Sequence, residues 1–155
     1  MIRLPTRIFL GCIAGAIAVL TFHQTTLQAF FWCGLAPHAA FRIAVVPPFS
    51  APLVVSITFW GAVYGGLFGW AAPVLPRSVL LRGLAAGAFA VLMGWFVVRP
   101  IAGHHVAFDW RIAPMLRSAS ACLMWGLGVT LILPMLLPRC LNRRRQAWDR
   151  HHLAT

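Results

Sequence analysis

Four long stretches almost free of charge, at about residues 8–32, 53–72, 79–98 and 115–137, constrain this chain more than any other feature. Each is long enough, as a helix, to cross a hydrocarbon layer of roughly 30 Å. The composition agrees: 61% of residues are hydrophobic and 10% charged, far from a soluble balance, so the apolar excess has to face lipid. The expected fold is all-α, a polytopic membrane protein with four transmembrane helices forming one membrane domain over residues 1–155.

The connections follow from the breakers. The first run, preceded by Arg3 and Arg7, has the look of a signal peptide at its start. It continues through Thr21–Gln28 into Phe30-Phe31-Trp32, however, which predicts a first transmembrane helix ended by Gly34 and Pro37. Residues 34–52 hold Pro37, Pro47, Pro48 and Pro52, enough to exclude a regular helix. With Phe41 to Phe49 mostly apolar, this connection is expected to lie on the membrane surface or to fold back over the bundle. Pro73 and Pro76 end the second helix and leave a tight turn at Arg77. The polar segment Arg99–Arg111 leads into the fourth helix, which stops at Pro138, and residues 138–155 form a basic tail.

Charge adds location. The 13 basic residues are all arginine, the only acids are Asp109 and Asp149, and the net charge is +11. In a soluble protein this would suggest nucleic acid. Here the arginines flank apolar segments, where they meet phosphate headgroups, so the expected partner is a bilayer with anionic headgroups and no nucleic acid. Arg139, Arg143, Arg144 and Arg145 in the tail are the clearest headgroup contacts. Nine arginines (Arg3, Arg7, Arg77, Arg82, Arg139, Arg143, Arg144, Arg145, Arg150) fall on one side of the four helices. Four (Arg42, Arg99, Arg111, Arg117) fall on the other. This asymmetry predicts a bacterial inner-membrane protein with both termini in the cytoplasm. Cys12, Cys33, Cys122 and Cys140 are scattered singly and suggest neither zinc nor disulfides.

Glycines recur at four-residue spacing: Gly11 and Gly15, then Gly61, Gly65 and Gly69, then Gly83 and Gly87, with Gly126 ending a Ser118/Cys122 ladder. Such a glycine-zipper pattern leaves one helix face bare, so a neighbouring helix can lie directly against it. Each interior glycine costs about 1 kcal/mol of helix propensity relative to alanine, which close backbone contact has to offset. The segment 11–20 matches 83–92 at seven of ten positions, and Trp60-Gly61 is echoed by Trp125-Gly126. These echoes suggest a tandem duplication of a two-helix hairpin, against the alternative that a shared membrane-helix composition produces them.

Polar residues within lipid invite a functional reading. Thr21, Gln24 and Gln28 fall on one face of the first helix by helical spacing, and His23 points about a third of a turn away. His104, His105 and Asp109 are expected at the same end, so His23, Gln24, Gln28, His104, His105 and Asp109 form a candidate polar site. That set could hold a metal or relay protons. The simpler alternative is His23 bonded to a neighbouring helix with the loop histidines solvated, and no metal or other cofactor is expected. Bis-histidine haem fails because only His23 lies within a span, and no carboxylate or activated nucleophile suggests an enzyme. The seven tryptophans lie mostly near the expected helix ends, as interface belts do.

The segments Leu20-Thr21-Phe22-His23-Gln24, Pro47-Pro48-Phe49-Ser50-Ala51-Pro52, Phe59-Trp60-Gly61 and Arg99-Pro100-Ile101-Ala102-Gly103 resemble recurring segments of a group of short, uncharacterised bacterial four-helix inner-membrane proteins. The resemblance implies a fold and a location and transfers no catalytic residue. Two functions remain open: a structural or accessory component that packs as a homo-oligomer or within a larger membrane complex, and a small transporter or channel with a polar path near His23 and Gln24. The charge asymmetry predicts that a C-terminal alkaline phosphatase fusion will be inactive and a C-terminal fluorescent-protein fusion bright; the opposite pair of readings would reverse the topology.

Overall fold

The computed structural model describes residues 3–46, 51–76 and 78–137. The sequence features that fall on Pro47, Pro48, Phe49, Ser50, Arg77 and the tail, including Arg139, Arg143, Arg144 and Arg145, lie outside the described residues. The described chain is mostly helical and holds four helices long and apolar enough to cross a membrane: α1 (Leu4–Trp32), α2 (Leu53–Ala71), α3 (Val79–Ile101) and α4 (Ile112–Leu136). A two-residue antiparallel ladder, β1 (Val45–Val46) with β2 (Ala51–Pro52), is a small departure from the all-α expectation.

Proline and glycine chemistry sets the helix ends. Pro5 sits in the first turn of α1, where no backbone donor is lost to the helix. Helix α4 begins three residues earlier than expected because Pro114 likewise falls within its first turn. Helices α1 and α3 stop in the same way. Gly34 and Gly103 adopt left-handed backbone (φ 71° and 73°). Leu35 N–H then bonds Phe30 C=O and Gly34 N–H bonds Phe31 C=O, while His104 and Gly103 make the equivalent bonds to Arg99 and Pro100. Both are Schellman caps, which use glycine for its freedom at positive φ. The cap carries α3 three residues past its expected end at Val98.

Helices α1 and α2 pack antiparallel, backbone on backbone. A methyl group added at Gly65 would lie 2.7 Å from Gly15 Cα, and one at Gly11 would lie 3.1 Å from Gly69 Cα, both closer than side chains comfortably approach. Arg7 closes the far end of this seam: its Nε and Nη2 donate to Gly69 C=O at 3.3 and 3.0 Å, and Nη2 donates to Trp70 C=O at 2.9 Å. Those carbonyls belong to the last turn of α2 and lack helical partners, and the cation also complements the helix dipole.

Helices α3 and α4 repeat the arrangement. Gly126 faces Gly83 C=O and the N and Cα of Gly87, as Gly65 faces Gly11 C=O and the N and Cα of Gly15. Four matching positions are buried in both ten-residue segments, Gly11, Ala14, Gly15 and Ala18 in one and Gly83, Ala86, Gly87 and Ala90 in the other; Val19 is buried in the first alone. The contacts therefore make Gly126 the counterpart of Gly65, and Trp125 the counterpart of Tyr64. The Trp60-Gly61 and Trp125-Gly126 echo is one helical turn out of this packing register.

The hairpins join through α1 and α4. Ala14 and Ala18 of α1, with Trp125, Val129 and Leu133 of α4, belong to one buried cluster. Trp125 Nε1 donates to Gly15 C=O at 2.9 Å. Between α2 and α3 the described contact is a ring contact, Tyr64 edge-on to Phe89 with centroids 5.9 Å apart. One side of the bundle is thus sealed and the other gapped. Gly65→Leu is expected to lower the thermal midpoint of the detergent-solubilised protein, at a cost of about 3 kcal/mol or more because backbone rather than a side chain has to move. Gly94→Ala, where an added methyl meets nothing within 4 Å, is expected to leave it unchanged; equal midpoints for the two variants would remove the seam from the account.

Candidate functional site

The gap between the hairpins widens into a cavity of about 610 Å³ at the end where α1 and α3 terminate. Its base is apolar and aromatic, formed by Val19, Tyr64, Ala90 and Trp125. Tyr64 bridges the base, with its ring 6.4 Å from Trp125 and 5.8 Å from Trp60. The mouth is formed by residues 36–42 and by Arg99, His104, Phe108 and Arg117.

The irregular backbone of the described chain converges on this cavity. Helix α1 widens to a π-helical stretch at Val19–His23, next to the Gly15 carbonyl that accepts from both Val19 N–H and Trp125 Nε1, and Val19 and His23 line the wall. Helix α3 widens at Gly94–Val98, and Gly94, Trp95 and Val98 line the opposite wall. Phe41 (φ 56°) and the left-handed run Ala107–Trp110 (φ 47° to 60°) are the non-glycine residues at positive φ. Of these, Phe41 and Phe108 line the mouth. A left-handed turn costs an L-residue roughly 1–2 kcal/mol, so four in succession persist only where the surroundings hold them. Here Ala107 is fully buried and the Arg99 guanidinium lies 3.6 Å from the Phe108 ring centroid. π-Bulges and strained backbone are concentrated at functional sites in proteins generally.

The roof is held by two glutamines. Gln24 Oε1 accepts from Phe41 N–H at 2.9 Å, and Gln28 Oε1 accepts from Ala40 N–H at 3.0 Å. Of the two surface positions expected for this connection, it therefore takes the one folded over the bundle. Gln24 is 1% exposed and is one of the two largest fully buried side chains. Thr21 does not share its face: it is exposed, and its hydroxyl donates to Ile17 C=O at 2.7 Å. The extra residue in the π-helical stretch rotates the chain between Thr21 and Gln24 and breaks the helical spacing.

Of the six polar residues singled out in the sequence, His23, Gln24 and His104 line the cavity. Gln28 acts on its roof. His105 and Asp109 pair with each other at 3.4 Å at an exposed position outside it. Among the described residues no three of His, Cys, Asp and Glu converge as a ligand set, so the histidine and aspartate constellation is not assembled. His23 Nδ1 is buried without a hydrogen-bond partner among the described residues, which corrects the expectation that it bonds a neighbouring helix.

Three arginines line the mouth, and the sequence reading counted them only for topology. Arg117 Nη1 donates to Leu35 C=O at 2.6 Å, and Arg99 Nε donates to His105 C=O at 3.0 Å. Each keeps further N–H groups without a described partner, and the Arg42 side chain has none. The tryptophan belt is also corrected. Trp32, Trp70 and Trp110 are largely exposed, but Trp125 is 3% exposed in the core, and Trp60 and Trp95 line the cavity. Trp125 stands near the middle of its apolar stretch, which was the available signal that it does not belong to an interface. Trp95 Nε1 donates to Ser118 Oγ at 3.1 Å and ties α3 to α4 at the cavity wall.

An enclosed apolar base with a few oriented polar groups and a cationic rim is the construction of a small-molecule site. No family model, no curated protein and no solved structure matches the chain. Replacing Gln24 with Leu leaves the Phe41 amide unpaired at a cost of about 1–3 kcal/mol. Amides of residues 36–42 are expected to exchange deuterium at least tenfold faster in Gln24→Leu; unchanged protection there would show that the glutamine does not hold the roof.

Proposed function

We propose that the chain is a bacterial inner-membrane protein that crosses the bilayer four times with both termini in the cytoplasm, and that it works without a catalytic centre as a binding component. The observation that carries this reading is the cavity between the hairpins. A component whose only task is to fill space in a complex has no need of a chamber on which two π-bulges and two strained turns converge. The apolar faces left exposed, among them Val55, Phe59, Leu67 and Trp70 on α2, meet lipid or a further membrane protein. The nine-to-four arginine asymmetry supports the orientation, which puts the cavity in the outer half of the bilayer.

Several observations favour a chamber over a transport path. Below His23, Gln24 and Ser118 the lining is mainly apolar, Val19, Ala90 and Trp125 with the hydroxyl of Tyr64 and the thiol of Cys122, followed by the glycine-packed seams. A continuous polar route across the bundle is therefore not part of this proposal. The lateral gap between α2 and α3 gives the chamber access from the hydrocarbon layer. The matching caps, buried positions and glycine contacts of the two hairpins support their origin as copies of one unit.

Native mass spectrometry of the protein extracted in mild detergent tests the reading. One small molecule is expected to remain bound per chain in the wild type and to be lost in Gly94→Leu, because Gly94 lines the cavity and a side chain there has open space around it. A wild-type chain that is always bare, and runs only within a larger protein complex, would return the assignment to a purely structural component.

A further inference from the structure

The cavity's charge distribution identifies the chemistry of its occupant. Arg42, Arg99 and Arg117 line the mouth together with His38 and His104, and among the described residues no carboxylate lines any part of it. The described acid, Asp109, is turned to an exposed pair with His105. Guanidinium groups present forked donors that match the oxygens of phosphate and carboxylate groups. Asp109 offsets part of the charge on Arg99, and three guanidinium groups around one opening still exceed what that single carboxylate neutralises. A phosphate monoester carries close to two negative charges at neutral pH.

The depth of the cavity requires the rest of the ligand to be apolar. Below the arginines the lining passes through Leu27, Ile57 and Val98 to the aromatic base, and the space opens sideways between α2 and α3. A chain longer than the cavity can leave through that gap. One polar atom waits at intermediate depth: His23 Nδ1, buried and unpartnered. Such an atom is costly unless a partner arrives, and a ligand with a hydroxyl or ester oxygen a short distance below its headgroup supplies one.

We infer that the cavity binds a phosphate-monoester lipid, headgroup at the arginines, neck at His23, and tail directed along the aromatic base and out between α2 and α3. This rests on the reading of the chamber as a binding site and adds the class of ligand. Orientation by charge at one end and by an apolar slot at the other is how amphiphiles are selected against neutral lipids of the same tail.

The full chain in nanodiscs containing equal amounts of phosphatidic acid and phosphatidylcholine with identical tails provides the test, read by native mass spectrometry as lipid retained per chain. One phosphatidic acid is expected per chain, enriched at least tenfold over phosphatidylcholine. Arg42→Gln, at a side chain with no described partner, is expected to reduce the enrichment about tenfold without altering the thermal midpoint, since a charge-assisted hydrogen bond contributes on that scale. Gly94→Leu is expected to retain neither lipid. Equal retention of the two lipids would overturn the selection of a phosphate monoester while leaving a lipid chamber in place. Enrichment that survives Gly94→Leu would assign the selectivity to the outer surface and overturn the site. Displacement of phosphatidic acid by millimolar inorganic phosphate would make the ligand a free anion rather than a lipid, and absence of any retained molecule would overturn the chamber as well.

Discussion

Everything in this bundle depends on how closely two backbones can approach when no side chain stands between them. Gly11 and Gly15 lie against Gly61, Gly65 and Gly69, and Gly83 and Gly87 lie against Gly126, so each hairpin closes at the distance set by main-chain atoms. The hydrophobic effect does not drive such contacts in lipid, where dispersion and packing take its place. Each hairpin becomes one thick slab. Two slabs that touch along α1 and α4 leave a wedge on the other side, and the wedge is the cavity.

The asymmetry that opens the wedge can be traced to a pair of residues. Trp125 and Tyr64 occupy equivalent places against their glycine seams. The Trp125 indole reaches across to the Gly15 carbonyl and draws α4 onto α1. The Tyr64 ring instead stands edge-on to Phe89 and holds α3 away from α2. The residue matching Phe89 in the first helix is Ile17, which has no ring to meet Trp125. A pseudo-symmetric sequence therefore yields one closed seam and one open one through two aromatic choices. The seam that opens is the one beside the unpartnered histidine.

The sequence made the helices and their glycine faces readable because both rest on local periodicity: a run of apolar residues, a spacing of four, a proline at an end. It was less informative about the site, which depends on departures from periodicity. The π-helical stretch in α1 put Thr21 and Gln24 on different faces, and nothing in Val19–His23 announces it. The arginines at the mouth were visible and were assigned to topology, since a flanking arginine looks the same whether it faces headgroups or a cavity. His23 and Gln24 were singled out for being polar in an apolar run. That criterion found two residues at the site's centre and missed the aromatic base, because aromatic residues in a membrane-like sequence carry no such contrast.

A seam made of glycine has no rotamers. Bringing α1 against α2 orders few side chains at the line of contact, Val19, Cys12 and Ile8 among them, so close packing there carries a small entropic penalty. For the same reason the seam has few side chains to rearrange when a neighbour moves. Any change in the width of the cavity thus falls to whole slabs turning about the α1 and α4 contact, and to the loop that Gln24 and Gln28 suspend above it.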